Sequence, residues 1–242
     1  KSSLKIMSVS NDPNTGTHLS HRIHSFVRRE GRMTRAQQRA LAELWERFGV
    51  ETGAAMLNPG QLFGRRASLI LEIGFGDGES LTAMAAANPG TDYLGIEVHR
   101  PGIGHLLLQA AELRLTNLRV VCADAVDVLE QHLPDECLDR VQIFFPDPWP
   151  KTRHHKRRLI QPPFAALLVR KLKPAGQLHV ATDCESYAYF ILNVLNATPG
   201  LMNAATGNGF APRPPCRPLT KFEQRGQRLG HNVWDILFIQ RT

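Results

Sequence analysis

From Ser68 onward, apolar residues gather in short runs separated by stretches of helical spacing. Leu69–Ile73, Tyr93–Val98, Leu118–Cys122, Leu138–Phe145, Gly176–Thr182 and Val233–Gln240 are compact apolar segments of strand length. Between them the pattern changes to helix at Leu81–Ala87, at 101–115, near 125–132, at Phe164–Leu172 and at Glu185–Asn196. Such repeated strand–helix units predict a mostly parallel sheet with helices on both faces, the α/β class. Upstream, Ala40, Leu41, Leu44, Trp45 and Phe48 recur at helical spacing and predict a helix over Ala36–Phe48 that caps the sheet. Residues 49–67, with Asn58-Pro59-Gly60, read as a loop, and the Gly- and Pro-rich residues 207–219 as a long connection.

The chain has 242 residues, 43% of them hydrophobic, which suffices for one sizeable core. The expected organisation is a mobile, basic N-terminal arm over residues 1–35 and a single domain over 36–242. The formal net charge of +7 is unevenly spread. Cations gather at 22–35, 151–158 and 213–228, whereas 72–147 is rich in acids. A basic rim around an acidic centre suits a polyanion held over a small cationic or hydrogen-bonding ligand. Cys122, Cys137, Cys184 and Cys216 lie far apart and form no CxxC pair. They point to a reduced, cytoplasmic compartment rather than to zinc or disulfides. No apolar run reaches membrane-span length.

The first strand runs into Glu72-Ile73-Gly74-Phe75-Gly76-Asp77-Gly78 and then a helix. Glycines let the backbone turn sharply and approach a ligand. The spacing is G-x-G-x-G, and Glu79 stands where a dinucleotide fingerprint needs its last glycine. Glu72, Asp77 and Glu79 would repel a pyrophosphate but suit a phosphate-free, positively charged nucleoside. Glu97 ends the second strand, where a carboxylate can accept both hydroxyls of a ribose. Asp124 follows the third strand, placed to meet an adenine edge. A helix N-cap or first-turn acid is the plainer reading of Asp77 or Asp124 taken singly.

Ile143 to Arg158, IFFPDPWPKTRHHKRR, is the most informative stretch. A strand ends in Pro146-Asp147-Pro148-Trp149-Pro150, a stiff turn whose prolines restrict Asp147. Lys151, Arg153, His154, His155, Lys156, Arg157 and Arg158 follow with no acid among them. This places an acid, an aromatic and a cationic block together, as a base attached to phosphates requires. Trp149 either stacks on a base or packs under its own turn. The two histidines have no metal-ligand spacing, and no metal is expected.

These segments resemble the bacterial tRNA (guanine-N7-)-methyltransferase family, within the class I S-adenosylmethionine-dependent methyltransferases. The similarity rests on Ser25-Phe26-Val27-Arg28-Arg29 with Gly31-Arg32, on LEIGFGDG, GIEVHRPGIG and FFPDPWPKTRHHKRR, on Ala181-Thr182-Asp183, and on Thr220-Lys221-Phe222-Glu223-Gln224-Arg225-Gly226. It spans roughly 25–235. The resemblance implies a Rossmann-like fold with a mostly parallel seven-stranded sheet, S-adenosyl-L-methionine as cofactor, and tRNA as partner with guanine 46 of the variable loop as target. It implies that Glu72, Gly74, Gly76, Glu97, Asp124 and Asp147 line the cofactor site. Lys151, Asp183, Thr220, Lys221, Phe222 and Glu223 would hold substrate, and residues 153–158 would contact RNA. Cys184 stands where an aromatic often follows the Thr-Asp pair, so no stacking role is carried to that position.

Guanine N7 has a free lone pair and loses no proton on methylation, so no general base is required. Alignment of the reacting atoms and stabilisation of a developing purine cation remain to be supplied, and Asp147 is the candidate for the second. Three rivals remain: a methyltransferase for another RNA or a small molecule, a non-catalytic RNA binder on the same scaffold, and a dinucleotide-dependent oxidoreductase. The basic block argues against the small molecule, retained Glu97 and Asp147 against the second rival, and the displaced glycine against the third. Oligomeric state, monomer or homodimer, is not legible.

Overall fold

The computed structural model describes residues 24–26, 31–53, 55–228, 230 and 232–241. The sequence-based arm and its expected mobility fall mostly on residues outside this set. The first elements are helices α1 (Arg35–Glu43), α2 (Trp45–Phe48) and α3 (Pro59–Phe63). It continues through β1 (Ser68–Ile73), α4 (Glu79–Ala87), β2 (Thr91–Ile96), α5 (Arg100–Glu112), β3 (Leu118–Val121), α6 (Ala125–Gln131) and β4 (Leu138–Phe144). A short 3-10 turn over Thr152–Arg157 leads to α7 (Pro162–Lys171), β5 (Leu172–Thr182), α8 (Glu185–Asn196), β6 (Leu201–Asn203), α9 (Lys221–Arg228) and β7 (Trp234–Gln240).

The seven strands form one sheet in the order β3-β2-β1-β4-β5-β7-β6. The first five run parallel, and β7 is antiparallel to both β5 and β6. This is the mostly parallel α/β fold expected from the pattern, with the seven strands that the resemblance implies. The central strands are buried on both faces, and their alternation divides the core. Leu69, Leu71 and Ile73 of β1 pack with α6, α7 and α8, whereas Ile70 packs with α1, α4 and α5. The strand order reverses at the β1/β4 boundary, which opens a crevice at the carboxyl ends of those strands.

Several elements depart from the sequence pattern for local reasons. The expected 36–48 helix starts at Arg35, one residue inside the supposed arm, because Thr34 and Gln37 form a reciprocal capping box. It bends at Leu44 into α2, so that Phe48 enters the core and Gly49 bridges to Val120. Asn58-Pro59, read as loop, starts α3 instead: Asn58 caps the Gln61 N–H and Pro59 occupies the first helical position. Strand β5 begins at Leu172 and carries its kink within it, with Ala175 at φ 63° and a register shift against β4. The connection before β7 contains α9, whose start Thr220 caps by accepting the Glu223 N–H at 3.2 Å.

Candidate active site at the carboxyl ends of the central strands

The glycine loop is a backbone device. Gly74, Gly76 and Gly78 have φ values of 72°, 58° and 79°, a left-handed run that side-chain-bearing residues resist. A Cβ on Gly102 of α5 would lie 2.2 Å from the Gly76 carbonyl, so the PGIG sequence lets α5 press against the loop. Glu97 fixes the arrangement. One carboxylate oxygen accepts the Gly76 N–H at 2.9 Å, and the other accepts those of Val98 and His99 at 2.7 and 2.9 Å. Three of its roughly four lone-pair sites are therefore occupied by backbone, leaving about one for a ligand hydroxyl rather than two.

Glu97, Asp124 and Asp147 line one cleft of about 220 Å³, together with Gly74, Ile73, Ile96, Ile143 and Phe145. The cleft stands over the β2, β1 and β4 ends. A second hollow of about 390 Å³ adjoins it, sharing Gly74, Phe144 and Phe145, and is lined by Glu72, Gly76, Glu79, Ser80 and Thr220. Glu72 is 2% exposed and accepts a hydrogen bond from Gln142 Nε2 at 2.8 Å. Burial, partly opposed by that hydrogen bond and reinforced by the charge of Glu97, pushes its pKa up to about 7. Ser80, in the first turn of α4, is buried and its Oγ has no hydrogen-bond partner among the described residues. A buried hydroxyl left unpaired beside a buried, half-neutral carboxylate is what a site built for a polar ligand looks like without that ligand. Sequence reasoning missed Ser80; its only signal was its place just after the glycine loop.

Asp124 takes the N-cap reading made of it and also lines the cleft. It caps α6 by accepting the Val126 N–H at 2.9 Å, and its other oxygen meets His24 Nδ1 at 3.0 Å. His24 brings Ser25 and Phe26 with it, and both line the cleft. The arm motif thus contributes a wall of the site, a role that spacing along the chain did not signal.

The PDPWP turn is held in an uncommon backbone shape, with φ 52° at Phe145 and 45° at Trp149. Bulky residues rarely adopt such angles, and strain of this kind collects at functional sites. Asp147 sits exposed at its tip. Trp149 follows neither sequence reading alone: its Nε1 donates to the Ser25 carbonyl at 3.0 Å, and Arg157 lies 5.0 Å over its ring. Lys151, Arg153 and Lys156 are exposed, and His154, His155 and Arg157 half-buried. Partial desolvation, then the charges of Arg153, Arg157, Lys151 and Lys156, keep the pKa of His154 below its usual value.

Arg158 corrects the sequence reading. It is 3% exposed, donates from Nε to the Pro148 carbonyl at 2.9 Å, and lies 4.8 and 4.9 Å from the Tyr187 and Phe190 rings. A guanidinium enclosed by two aromatic rings under a proline turn cannot meet an RNA phosphate. It fixes the turn that carries Asp147.

The 220–223 segment also divides. Thr220 faces the hollow that Glu72 lines. Glu223 does not: it is 2% exposed, and Arg217 binds both its oxygens at 2.6 and 2.9 Å. Arg217 also grips Asp235 of β7 at 2.8 and 2.9 Å, and Asp235 meets His179 Nε2 at 2.7 Å. Burial pushes the Asp235 carboxyl up, but the hydrogen bonds and charges of His179 and Arg217 outweigh it and leave its pKa below the ordinary value. Arg217, which sequence reading did not single out, therefore anchors the start of α9 to the sheet. The side chains of Lys221 and Phe222 lie outside the described residues. Asp183 is half-buried just beyond β5. Among the described residues no three metal-ligating side chains converge, and no helix is long and apolar enough to cross a membrane.

Residues 66–236 match the family described as a putative methyltransferase, Methyltransf_4. Over 231 residues the chain is 54% identical to a tRNA (guanine-N(7)-)-methyltransferase of Alcanivorax borkumensis, covering 96% of each protein. It is 57% identical over 222 residues to the protein so described from Nitrosospira multiformis, covering 91% of this chain and 96% of that one. The chain belongs to the bacterial tRNA (guanine-N7-)-methyltransferase family. Among solved structures, the 16S rRNA methyltransferase KamB aligns with a TM-score of 0.54 and 15% identity, over 75% of this chain and 92% of its own. At that identity the likeness concerns the fold alone, the class I methyltransferase architecture.

Proposed function

We propose that this protein transfers the methyl group of S-adenosyl-L-methionine to N7 of guanine 46 in the variable loop of tRNA, in the cytoplasm. The observation that carries the reading is the meeting of Glu97, Asp124 and Asp147 in one cleft, with an exposed cationic block at its edge. Membership of the family supports the choice of base and atom.

The residues present suit the cofactor. Gly74 and Gly76 bring bare backbone to the ligand, Glu97 keeps acceptor capacity for a ribose hydroxyl, and Asp124 borders the adenine end. Glu72 and the unpaired Ser80 hydroxyl are available to the amino-acid end. Bound S-adenosylmethionine supplies an electrophilic methyl on a sulfonium. The chain's own tasks are orientation and electrostatics. Asp147 stands at the rim, where its carboxylate stabilises positive charge arriving on the purine ring. Asp183, Lys151 and Thr220 take the base. Glu223 and Arg217 act at one remove, by holding Thr220 in place. Arg153, His154, His155, Lys156 and Arg157 take the RNA strand, in contacts that give affinity and register rather than sequence readout.

The test is nucleoside analysis of tRNA incubated with the protein and S-adenosylmethionine. 7-Methylguanosine is expected, and it should vanish when position 46 is changed from guanine. Methylation of a different base, or of small molecules with tRNA untouched, would replace this reading with its broader alternative.

A further inference from the structure

A third opening lies beside the cofactor cleft and away from the 151–157 block. It is a groove of about 970 Å³ lined by Arg32, Met33, Arg35, Gln38, Arg100 and Cys122, and it meets the cleft at Val98 and Ala123. Arg32, Arg35 and Arg100 are all exposed. Among the described residues none of them forms an ion pair with a carboxylate. The neighbouring hollow, which shares Arg100 and Cys122, holds one acid, Glu51, whose Oε1 accepts from Trp45 Nε1 at 2.5 Å; one carboxylate against three guanidinium groups leaves the region net positive. Three exposed guanidinium groups in one open concavity form a local positive field, and planar guanidinium suits phosphate oxygens better than a point charge does.

The placement is as informative as the charge. The groove stands beyond the ends of β3 and β2, the cleft over β2, β1 and β4, and the 152–157 turn follows β4. At about 4.8 Å per strand, β3 and β4 lie roughly 14 Å apart. Cations therefore flank the cleft on both sides along a single rim.

We infer that the groove is a second grip for the phosphodiester backbone of the same tRNA, opposite the 151–157 block, so that the RNA straddles the cofactor cleft. The inference rests on the proposed function for the identity of the RNA. The openness of the groove and the exposure of its arginines fit an extended polyanion; a small phosphate would need buried donors converging on it. Along the sequence Arg32 and Arg35 group with Arg28 and Arg29 as an expected second RNA grip on the N-terminal arm; Arg100, at the first position of α5, joins them only in the fold.

The experiment replaces the three together, R32Q/R35Q/R100Q, with R32K/R35K/R100K as the charge-preserving control. tRNA affinity is measured across a range of salt. Loss of three phosphate contacts should reduce the magnitude of the log–log salt slope by about 2 to 3, and weaken binding ~10- to 100-fold near physiological salt. The lysine triple should retain most of the slope. S-adenosylhomocysteine binding, followed by calorimetry, should stay unchanged in both, because none of the three arginines lines the cofactor cleft. An unchanged slope in the glutamine triple, with cofactor binding intact, overturns the inference. So does equal loss of cofactor binding in both triples, which would make the arginines structural. A groove-dependent slope in a protein that leaves tRNA unmethylated would retain the grip and reject the proposed reaction, so the two failures are separable.

Discussion

Replacing Glu72 by Gln should make the cofactor-free protein more stable and a worse binder of S-adenosylmethionine. Glu72 is fully enclosed, and its pKa rises from 4.5 to about 7. Below pH 4.5 both the folded and unfolded chains hold the proton, and this residue imposes no penalty. Between 4.5 and 7 the unfolded chain ionises first, so native stability falls by about 1.4 kcal/mol per pH unit. Above 7 both forms are ionised, and the penalty levels off near 3 kcal/mol, the interval from 4.5 to about 7 converted at that rate. Glutamine carries no charge to bury and can still accept the Gln142 hydrogen bond. The stability advantage of Glu72→Gln should therefore be about 1 kcal/mol at pH 5.5 and about 3 kcal/mol at pH 8. For a chain of this size the latter is roughly a 6–12 °C rise in Tm. Urea unfolding at the two pH values reads it directly. Binding should respond with the opposite sign. A cationic ligand favours the ionised carboxylate, so wild-type affinity for S-adenosylmethionine should climb with pH up to about 7 and then flatten, whereas Glu72→Gln binds weakly and without that rise. An advantage equal at pH 5.5 and 8, or a variant less stable than wild type at pH 8, would refute the argument that burial of charge governs this position.

Asp147→Asn should lower the single-turnover methylation rate about 100-fold, with tRNA affinity nearly unchanged, because it removes charge from the reacting centre only. Neutralising Arg153 and Lys156 should reduce the salt slope of tRNA binding by about 1.5. Arg158→Met should leave that slope alone and cost about 1–3 kcal/mol of stability through its lost aromatic contacts and hydrogen bond, as chemical denaturation would report. Arg217→Met should be costlier, about 3–5 kcal/mol, because it leaves Glu223 and Asp235 buried without their cation. A surviving fraction folded at low temperature should bind cofactor while losing the order of α9, measurable by hydrogen exchange at 221–228.

Periodicity along the chain specified the α/β class and five of the seven strands closely, because each of those strands is a short, largely apolar run bounded by turn residues. The glycine spacing also marked the loop after β1, since left-handed backbone at Gly74, Gly76 and Gly78 is encoded by residues adjacent in sequence. Strand β6, at three residues, carries too short a signal to read, and α9 was hidden among loop residues although Thr220-Lys221-Phe222-Glu223 has the form of a capping box. Contacts between distant residues were beyond its reach. Charge in a sequence says nothing of which side chains are enclosed, so Arg157 and Arg158 read alike although one borders solvent and the other lies between Tyr187 and Phe190. Packing alone decided that Glu223 faces Arg217 rather than a ligand, that Ser25 and Phe26 wall the cleft, and that Arg100 meets Arg32 and Arg35. The physical reason is common to all three: local pattern is set by backbone preference and the side on which apolar atoms lie, whereas a site is assembled from loop ends that only the winding of the sheet brings together.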